Sequence, residues 1–230
     1  MDEADVVSNL VGQVNNSLEG SSFFSAFASG TLDIEHIRQT FSQYYWWRNR
    51  FHRWFGVCIA KSPAFGNTET DFILSELIEH IEEEIKGNHH GLCLRFLETI
   101  EISDPAAIEP LPETVRYSDH FISRYMDHGV SGQEALAALA GRELVAPARN
   151  RLTIAAFQTH YGVQSGLEFF DLHEELEVEH FRGLWAAVTQ SSPQDPTKLL
   201  DAARSEIVAH VKFWDDVSAH VGEVMRTRVA

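Results

Sequence analysis

The chain has 230 residues, 44% of them hydrophobic and 23% charged, with a net charge of −16. A chain of this length and composition builds an ample hydrophobic core without disulfide or metal staples. The acidic balance repels phosphate backbones, which argues against nucleic acid as a partner.

The two cysteines, Cys58 and Cys93, stand in apolar stretches and form no CxxC motif. That pattern suits buried, reduced thiols in a cytoplasmic protein. The opening "MDEADVV" lacks the basic-then-apolar pattern of a signal peptide, and no run is long and apolar enough for a membrane helix, so neither secretion nor a membrane is expected.

Helical periodicity runs through almost the whole chain, and no segment alternates as a half-buried strand does. Seven main helices are expected, all in one domain. The first covers roughly 4–19 and stops at "EGSS"; a short apolar piece, "FFSAFASG", follows. The second spans roughly 33–62. The third spans about 68–86, with continuation past Gly87 to about 101 as the alternative. The proline-rich "EISDPAAIEPLPE" is a loop leading to a fourth helix near 113–128. The fifth begins at "SGQE", where Ser131 and Glu134 form a capping box, and reaches about 161. The sixth begins at "SGLE" with a second such box, Ser165 and Glu168, and ends near Gln190. The last starts with Asp195 as N-cap and Pro196 in the first helical position, and ends near Arg228.

Three segments could carry chemistry. In "HEELEVEH", residues 173–180, His173, Glu177 and His180 fall at i, i+4 and i+7 and share one helix face. Two imidazoles and a carboxylate suit Fe(II), Mn(II) or Zn(II). The competing reading is a solvated acidic face. In "IEHIEEEIKGNHHG", residues 78–91, Glu82 and His89 stand seven apart, as do Glu83 and His90. Either pair would share a face of a continuous helix, although Gly87 weakens the helix between them. In "ALAALAGRELVAPARN", Glu143 sits in an apolar helix with Pro147 four residues on. The proline removes the normal donor to the carbonyl of residue 143, and a carboxylate in such surroundings is costly unless something binds it.

These segments, in this order, resemble the haem-oxygenase-like di-metal (di-iron) oxidases. That family carries a Glu and a His seven apart, a lone Glu on a later helix, and HxxxDxxH or HxxxExxH about thirty residues beyond. "EEEIKGNHHGLCLRF", "GRELVAPARNRL" and "FFDLHEELEVEHFRGLW" are similar to the three elements, over about residues 35–215. The resemblance implies an all-α, haem-oxygenase-like bundle of about seven helices. It also implies a ligand set of Glu82, His89, Glu143, His173, Glu177 and His180, with Glu83 and His90 as the alternative register. Two iron ions would bind, with O2 as co-substrate and a peroxo-di-iron(III) species as oxidant. The substrate would be a small amino acid or a related carboxylate or amine, oxygenated at nitrogen, cleaved or rearranged, in natural-product biosynthesis. A reductase or chemical reductant would complete the cycle, and a homodimer is one expected assembly. In one branch a tyrosine precedes the lone Glu and is consumed by the enzyme; Arg142 stands there in this chain, so that chemistry is not carried over.

The aromatic stretch "YYWWRNRFHRWFG", residues 44–56, places Tyr44, Trp47, Arg48 and Phe51 on one helix face, either as core or as a substrate-pocket wall. Arg48, Arg50 or Arg53 could pair with a substrate carboxylate, and Arg142 and Arg182 are further candidates. Two other readings stay open at this point. One is a cofactor-free or non-oxidative enzyme like the thiaminase-like (TenA) or quinone-cofactor-forming (PqqC) relatives. The other is a non-catalytic iron- or protein-binding helical protein.

Overall fold

A computed structural model describes residues 3–64, 66–190 and 195–229. Among these residues there are ten α-helices, one 3-10 turn at Pro105–Ala107 and no strands. The helices are α1 (Glu3–Glu19), α2 (Ser22–Ala28), α3 (Ile34–Arg48), α4 (His52–Lys61), α5 (Thr68–Lys86), α6 (His89–Thr99), α7 (Pro112–Tyr125), α8 (Gly132–His160), α9 (Glu168–Gln190) and α10 (Pro196–Val229).

The all-helical expectation holds, but three of the seven expected units are divided or joined by a further helix. The apolar piece after α1 is itself a helix. Ser21 caps α2, accepting from the amide of Phe24 at 3.2 Å, while Asp215 accepts from the Phe23 amide at 2.8 Å. The expected helix over 33–62 breaks at residues 49–51 into α3 and α4. The third expected helix ends at residue 86 as read, and the alternative continuation past Gly87 does not form. Gly87 ends α5, Asn88 takes a left-handed conformation (φ 52°), and α6 starts afresh at His89.

The Ser131–Glu134 capping box forms as expected. The second expected box, at Ser165 and Glu168, does not set the start of α9. Leu167 takes the cap position instead, its carbonyl accepting from the amides of Phe170 and Asp171, and Glu168 becomes the first helical residue. Asp195 accepts from the amide of Thr197 ahead of α10, in line with its expected capping role.

α8 is the axis of the fold. It runs unbroken through Pro147, packs along α9 and α10, and touches α1, α2, α4 and α7. Its surroundings explain its composition. Ala135, Ala137, Ala138, Ala140 and Gly141 let neighbouring backbones approach closely, and a Cβ at Gly141 would stand 2.4 Å from the Ala203 carbonyl oxygen of α10. Much of the remaining core is aromatic, set among aliphatic side chains. Phe23, Phe41 and Tyr44 gather around Trp214, and Trp47 and Trp54 pack beside them. No helix of the described residues is long and apolar enough to cross a membrane.

Candidate metal centre

α9 presents His173, Glu177 and His180 inward, all buried, while Glu175 and Glu179 are exposed. This is the face the i, i+4, i+7 spacing selects. α8 brings Glu143, which is fully buried, to the same place.

α5 and α6 complete the site, with residues different from those expected. Glu82 is exposed and ion-paired with Lys86, away from the cluster. Its neighbour Glu84 takes the place in the cluster. One carboxylate oxygen of Glu84 lies 3.4 Å from His89 Nδ1 and 3.2 Å from His173 Nε2. The cause is the break at Gly87 and Asn88. Seven-residue spacing aligns side chains only along an unbroken helix, and here the turn resets the phase, so a five-residue separation brings carboxylate and imidazole together. The alternative pair does not form either. Glu83 reaches His180 Nε2 at 2.7 Å, but His90 is exposed and lies beside Tyr45.

His80, missed in the sequence reading, joins from one turn earlier on α5. It shares a face with Glu84 at i, i+4, a signal that becomes visible once α5 ends at Gly87. Its ring stacks on His180 with centroids 3.4 Å apart, and Phe55 packs against its other side.

The result is two groups of three donors. His80, Glu177 and His180 form one; Glu84, His89 and His173 form the other, and within each group the donor atoms lie within 4.8 Å of one another. Glu143 stands next to the first group, its Oε1 3.9 Å from His80 Nε2.

Electrostatics and hydrogen bonding test whether cations fit here. Burial drives the Glu143 carboxyl far above the usual carboxylate range, beyond what the Arg142 charge can offset, and the neighbouring Glu177 carboxylate raises it further. Burial would raise Glu177 too, but hydrogen bonds with His180 and Glu143 and the charge of Arg142 hold it well below that range. Glu84 likewise stays ionised against burial, through His173, His89 and Arg48. Burial, with the His180 charge, pushes His80 down to about 3, while Glu177 and Glu143 raise His180 to about 9 despite its burial.

Several buried atoms at the site have no hydrogen-bond partner although they can accept, namely Glu143 Oε1, His80 Nδ1 and His89 Nδ1. Buried polar atoms are ordinarily satisfied, so unpartnered acceptor-capable atoms in a carboxylate–imidazole cluster fit divalent cations. His173 adds a second mark of a metal ligand. Its Nδ1–H donates to the Phe169 carbonyl at 2.6 Å, which fixes the tautomer and leaves the Nε2 lone pair facing the cluster beside Glu84.

A cavity of about 560 Å³ opens onto the cluster, reaching His80 and Glu84. Phe51, Phe55, Ile59, Ile81 and Ile85 make its walls mostly apolar, and Arg48, His52 and Asn88 add polar groups. Small-molecule sites have this size and character.

Six of the residues considered for substrate contact fall into three places. Arg48 and Phe51 line the cavity, Arg48 being ion-paired with Glu84. Arg142 is buried behind the cluster, paired with Glu143 and 3.5 Å from Glu177, with Trp47 and Phe51 against its guanidinium. Tyr44 and Trp47 belong to the aromatic core and line no part of the cavity. Arg182 is exposed, pairs with Glu179, and lines a separate groove between α1, α8 and α9.

Residues 38–215 match the family model described as iron-containing redox enzymes. No curated protein matches the sequence. Among solved structures, the chain is similar to a domain of unknown function with a haem-oxygenase-like fold from Shewanella denitrificans. The TM-score is 0.79 at 14% identity, over 98% of this chain and 95% of that one. It is also similar to a CADD-like protein of unknown function from Nostoc punctiforme, with TM-score 0.74 at 19% identity over 94% and 98%. A TenA homologue from P. horikoshii OT3 aligns with TM-score 0.70 at 15% identity, over 94% and 98%. At these identities the likeness establishes the haem-oxygenase-like fold.

Proposed function

Because the chain belongs to the iron-containing redox enzyme family, we propose that it is an O2-dependent non-haem di-iron oxidase acting on a small amino acid or a related carboxylate or amine. The observation that carries this reading is the pair of three-donor groups beside one buried glutamate, at the floor of a cavity of substrate size. Glu84, His89 and His173 would hold one ion, and His80, Glu177 and His180 the other. Glu143, with an unpartnered oxygen beside the second group, would add a further carboxylate there. A bound iron pair supplies the redox chemistry that couples O2 to substrate oxidation.

The protein's own groups do the rest. Phe51, Phe55, Ile59 and Ile81 exclude water from the cavity. Arg48 is the guanidinium on its wall, suited to bidentate pairing with a substrate carboxylate. Arg142 balances the charge of Glu143 and Glu177 from behind and keeps them in place.

The cysteines count against a thiol-based, non-oxidative reading. Burial pushes the Cys93 thiol up to about 12 and raises Cys58 as well, so neither offers a thiolate near neutral pH.

The test is an anaerobic Fe(II) titration followed by rapid mixing with O2. The expected result is uptake of two irons per chain and a transient visible absorption band that one small acid or amine accelerates. A protein that retains no iron, or whose bound iron never reacts with O2 under any such compound, overturns the proposal.

A further inference from the structure

A second buried polar network lies behind the centre, on the side away from the cavity, and its hydrogen bonding is unusually well determined. Arg149 has only donors, so its contact with His210 Nε2 at 3.0 Å makes that nitrogen an acceptor; Trp214 Nε1–H points at the same atom. A neutral His210 ring then carries its hydrogen on Nδ1 and donates to the Tyr117 oxygen at 2.8 Å. Burial, with the Arg149 charge, holds this imidazole well below its ordinary range, in keeping with the neutral form. The phenolic hydrogen of Tyr117 is left to Glu206 Oε1 at 3.3 Å.

His120 closes the network. Its Nδ1 must donate to the Tyr117 carbonyl at 2.8 Å, and with Glu206 ionised its Nε2 donates to Glu206 Oε2 at 2.8 Å, which makes the ring an imidazolium paired with that carboxylate. Its side chain is 26% exposed, whereas that of Glu206 is buried.

Tyr117 also touches the aromatic core that leads back to the metal centre. Its ring lies 5.1 Å from Trp47, centroid to centroid. Trp47 in turn carries the Arg142 guanidinium 5.1 Å from its ring, and Arg142 bonds Glu143 and Glu177. Trp47 is fully buried and its indole N–H has no partner.

We propose that Trp47 and Tyr117 form a one-electron relay between the metal centre and the protein surface at His120, with Glu206 as the acceptor of the phenolic proton. This rests on the di-iron reading, which supplies the oxidant, an O2-oxidised metal pair. One electron leaves Tyr117 through Trp47 and reduces that pair by one equivalent. The phenolic proton moves to Glu206, and His120 can release a proton to solvent while taking up the one on Glu206. Tyr117 remains as a neutral radical until a small one-electron reductant in solution returns the electron and water returns the proton. The two aromatic residues have different parts. An oxidised Trp47 has no acceptor for its indole proton and so passes the vacancy on, whereas Tyr117 has a carboxylate waiting for its proton. The relay gives the centre a route for electrons that avoids the substrate cavity.

The experiment is rapid freeze-quench EPR of Fe(II)-loaded protein mixed with O2 in the absence of substrate, with iron content and iron oxidation measured on the same samples. A radical signal is expected that narrows with ring-deuterated tyrosine, disappears in Tyr117→Phe, is lost or strongly reduced in Trp47→Phe, and is quenched by ascorbate. Tyr161→Phe should leave it unchanged. Should Tyr117→Phe not fold, Glu206→Gln keeps the ring and removes the proton acceptor, and the signal should again be lost. Iron that binds and is oxidised with no radical, or a radical that survives in both Tyr117→Phe and Glu206→Gln, overturns the relay and leaves the di-iron reading standing. A protein that takes up no iron overturns both.

Discussion

Glu82 and Glu84 differ by two positions on one helix, yet one is solvated beside Lys86 while the other is paired with Arg48 and lies within 3.4 Å of His89 and 3.2 Å of His173. That contrast gives a sharp test of the donor set. Glu84→Ala is expected to lose one of the two ions and His80→Ala the other, whereas Glu82→Ala retains both; metal analysis of the purified variants after Fe(II) loading reads the difference. The sequence made His173, Glu177, His180 and Glu143 legible because each lies within an unbroken helix, where spacing alone decides the face. His89 was legible too, but its partner was not, since a left-handed residue at Asn88 changes the register. A second prediction concerns His120 and Glu206. Burial alone would lower the His120 pKa, but the hydrogen bond and charge of Glu206, opposed weakly by Arg124, raise it above the ordinary imidazole value. Trp54 packs on the ring from α4 and adds no charge. A raised folded-state value stabilises the fold fully below the unfolded value near 6.5, and that contribution is lost as pH rises through the folded value. The stability advantage of the wild type over a His120→Gln, Glu206→Gln double variant is therefore expected to shrink as the pH rises past the unfolded value and through the raised folded value, in denaturant melts. A flat difference across that range would show that the pair carries no such charge.

The break between α5 and α6 matters more than its length suggests. A Cβ on Gly87 would stand 2.4 Å from His89 Nε2 and 2.8 Å from the Glu83 carbonyl oxygen. Its backbone conformation (φ −71°) is open to any residue, so the clash, and not backbone strain, sets the outcome. Gly87→Ala is expected to displace the His89 ring and lose the ion held by Glu84, His89 and His173, and the contact with the Glu83 carbonyl adds a stability cost. Gly141→Ala is expected to lower stability without touching a donor. There the added Cβ meets backbone atoms of Ala203 that cannot rotate away, so α8 and α10 must separate, at a cost of about 1–3 kcal/mol typical of overpacking; a lower thermal midpoint checks it. Helix existence was readable along most of the chain from periodicity, and the capping box at Ser131 fixed the start of α8. What could not be read were the places where tertiary contacts end a helix. Residues 49–51 carry no proline or glycine, and the turn there instead lets α4 fold back so that Trp54 can donate to the Ser118 carbonyl at 3.0 Å. Local propensity holds no record of such a contact.

The helices divide the labour between two sides of the buried cluster. On one side α3 to α6 enclose the cavity that reaches His80 and Glu84; on the other the aromatic core and the Tyr117 network fill the space behind Arg142. The aromatic stretch at 44–56 was ambiguous in the sequence because it serves both sides: Phe51 and Phe55 face the cavity, while Tyr44, Trp47 and Trp54 pack inward. No rule of periodicity separates two apolar environments that flank one helix. The division nonetheless allows access to be changed without touching the donors. Gly56 lies on α4 at the cavity wall and has nothing within 4 Å of an added Cβ. A Gly56→Leu side chain would project into that space. Replacing a helical glycine gains up to about 1 kcal/mol in propensity, so the variant is expected to fold at least as well as the wild type and to bind both irons. Its reaction with O2 in the absence of substrate should be unchanged, since the donors are intact. The acceleration by whichever acid or amine speeds the wild-type reaction should fall, because the space that compound needs is filled. Full acceleration in Gly56→Leu would mean that the substrate reaches the metals by another route, and the groove lined by Arg182, on the far face of α8 and α9, would become the place to look.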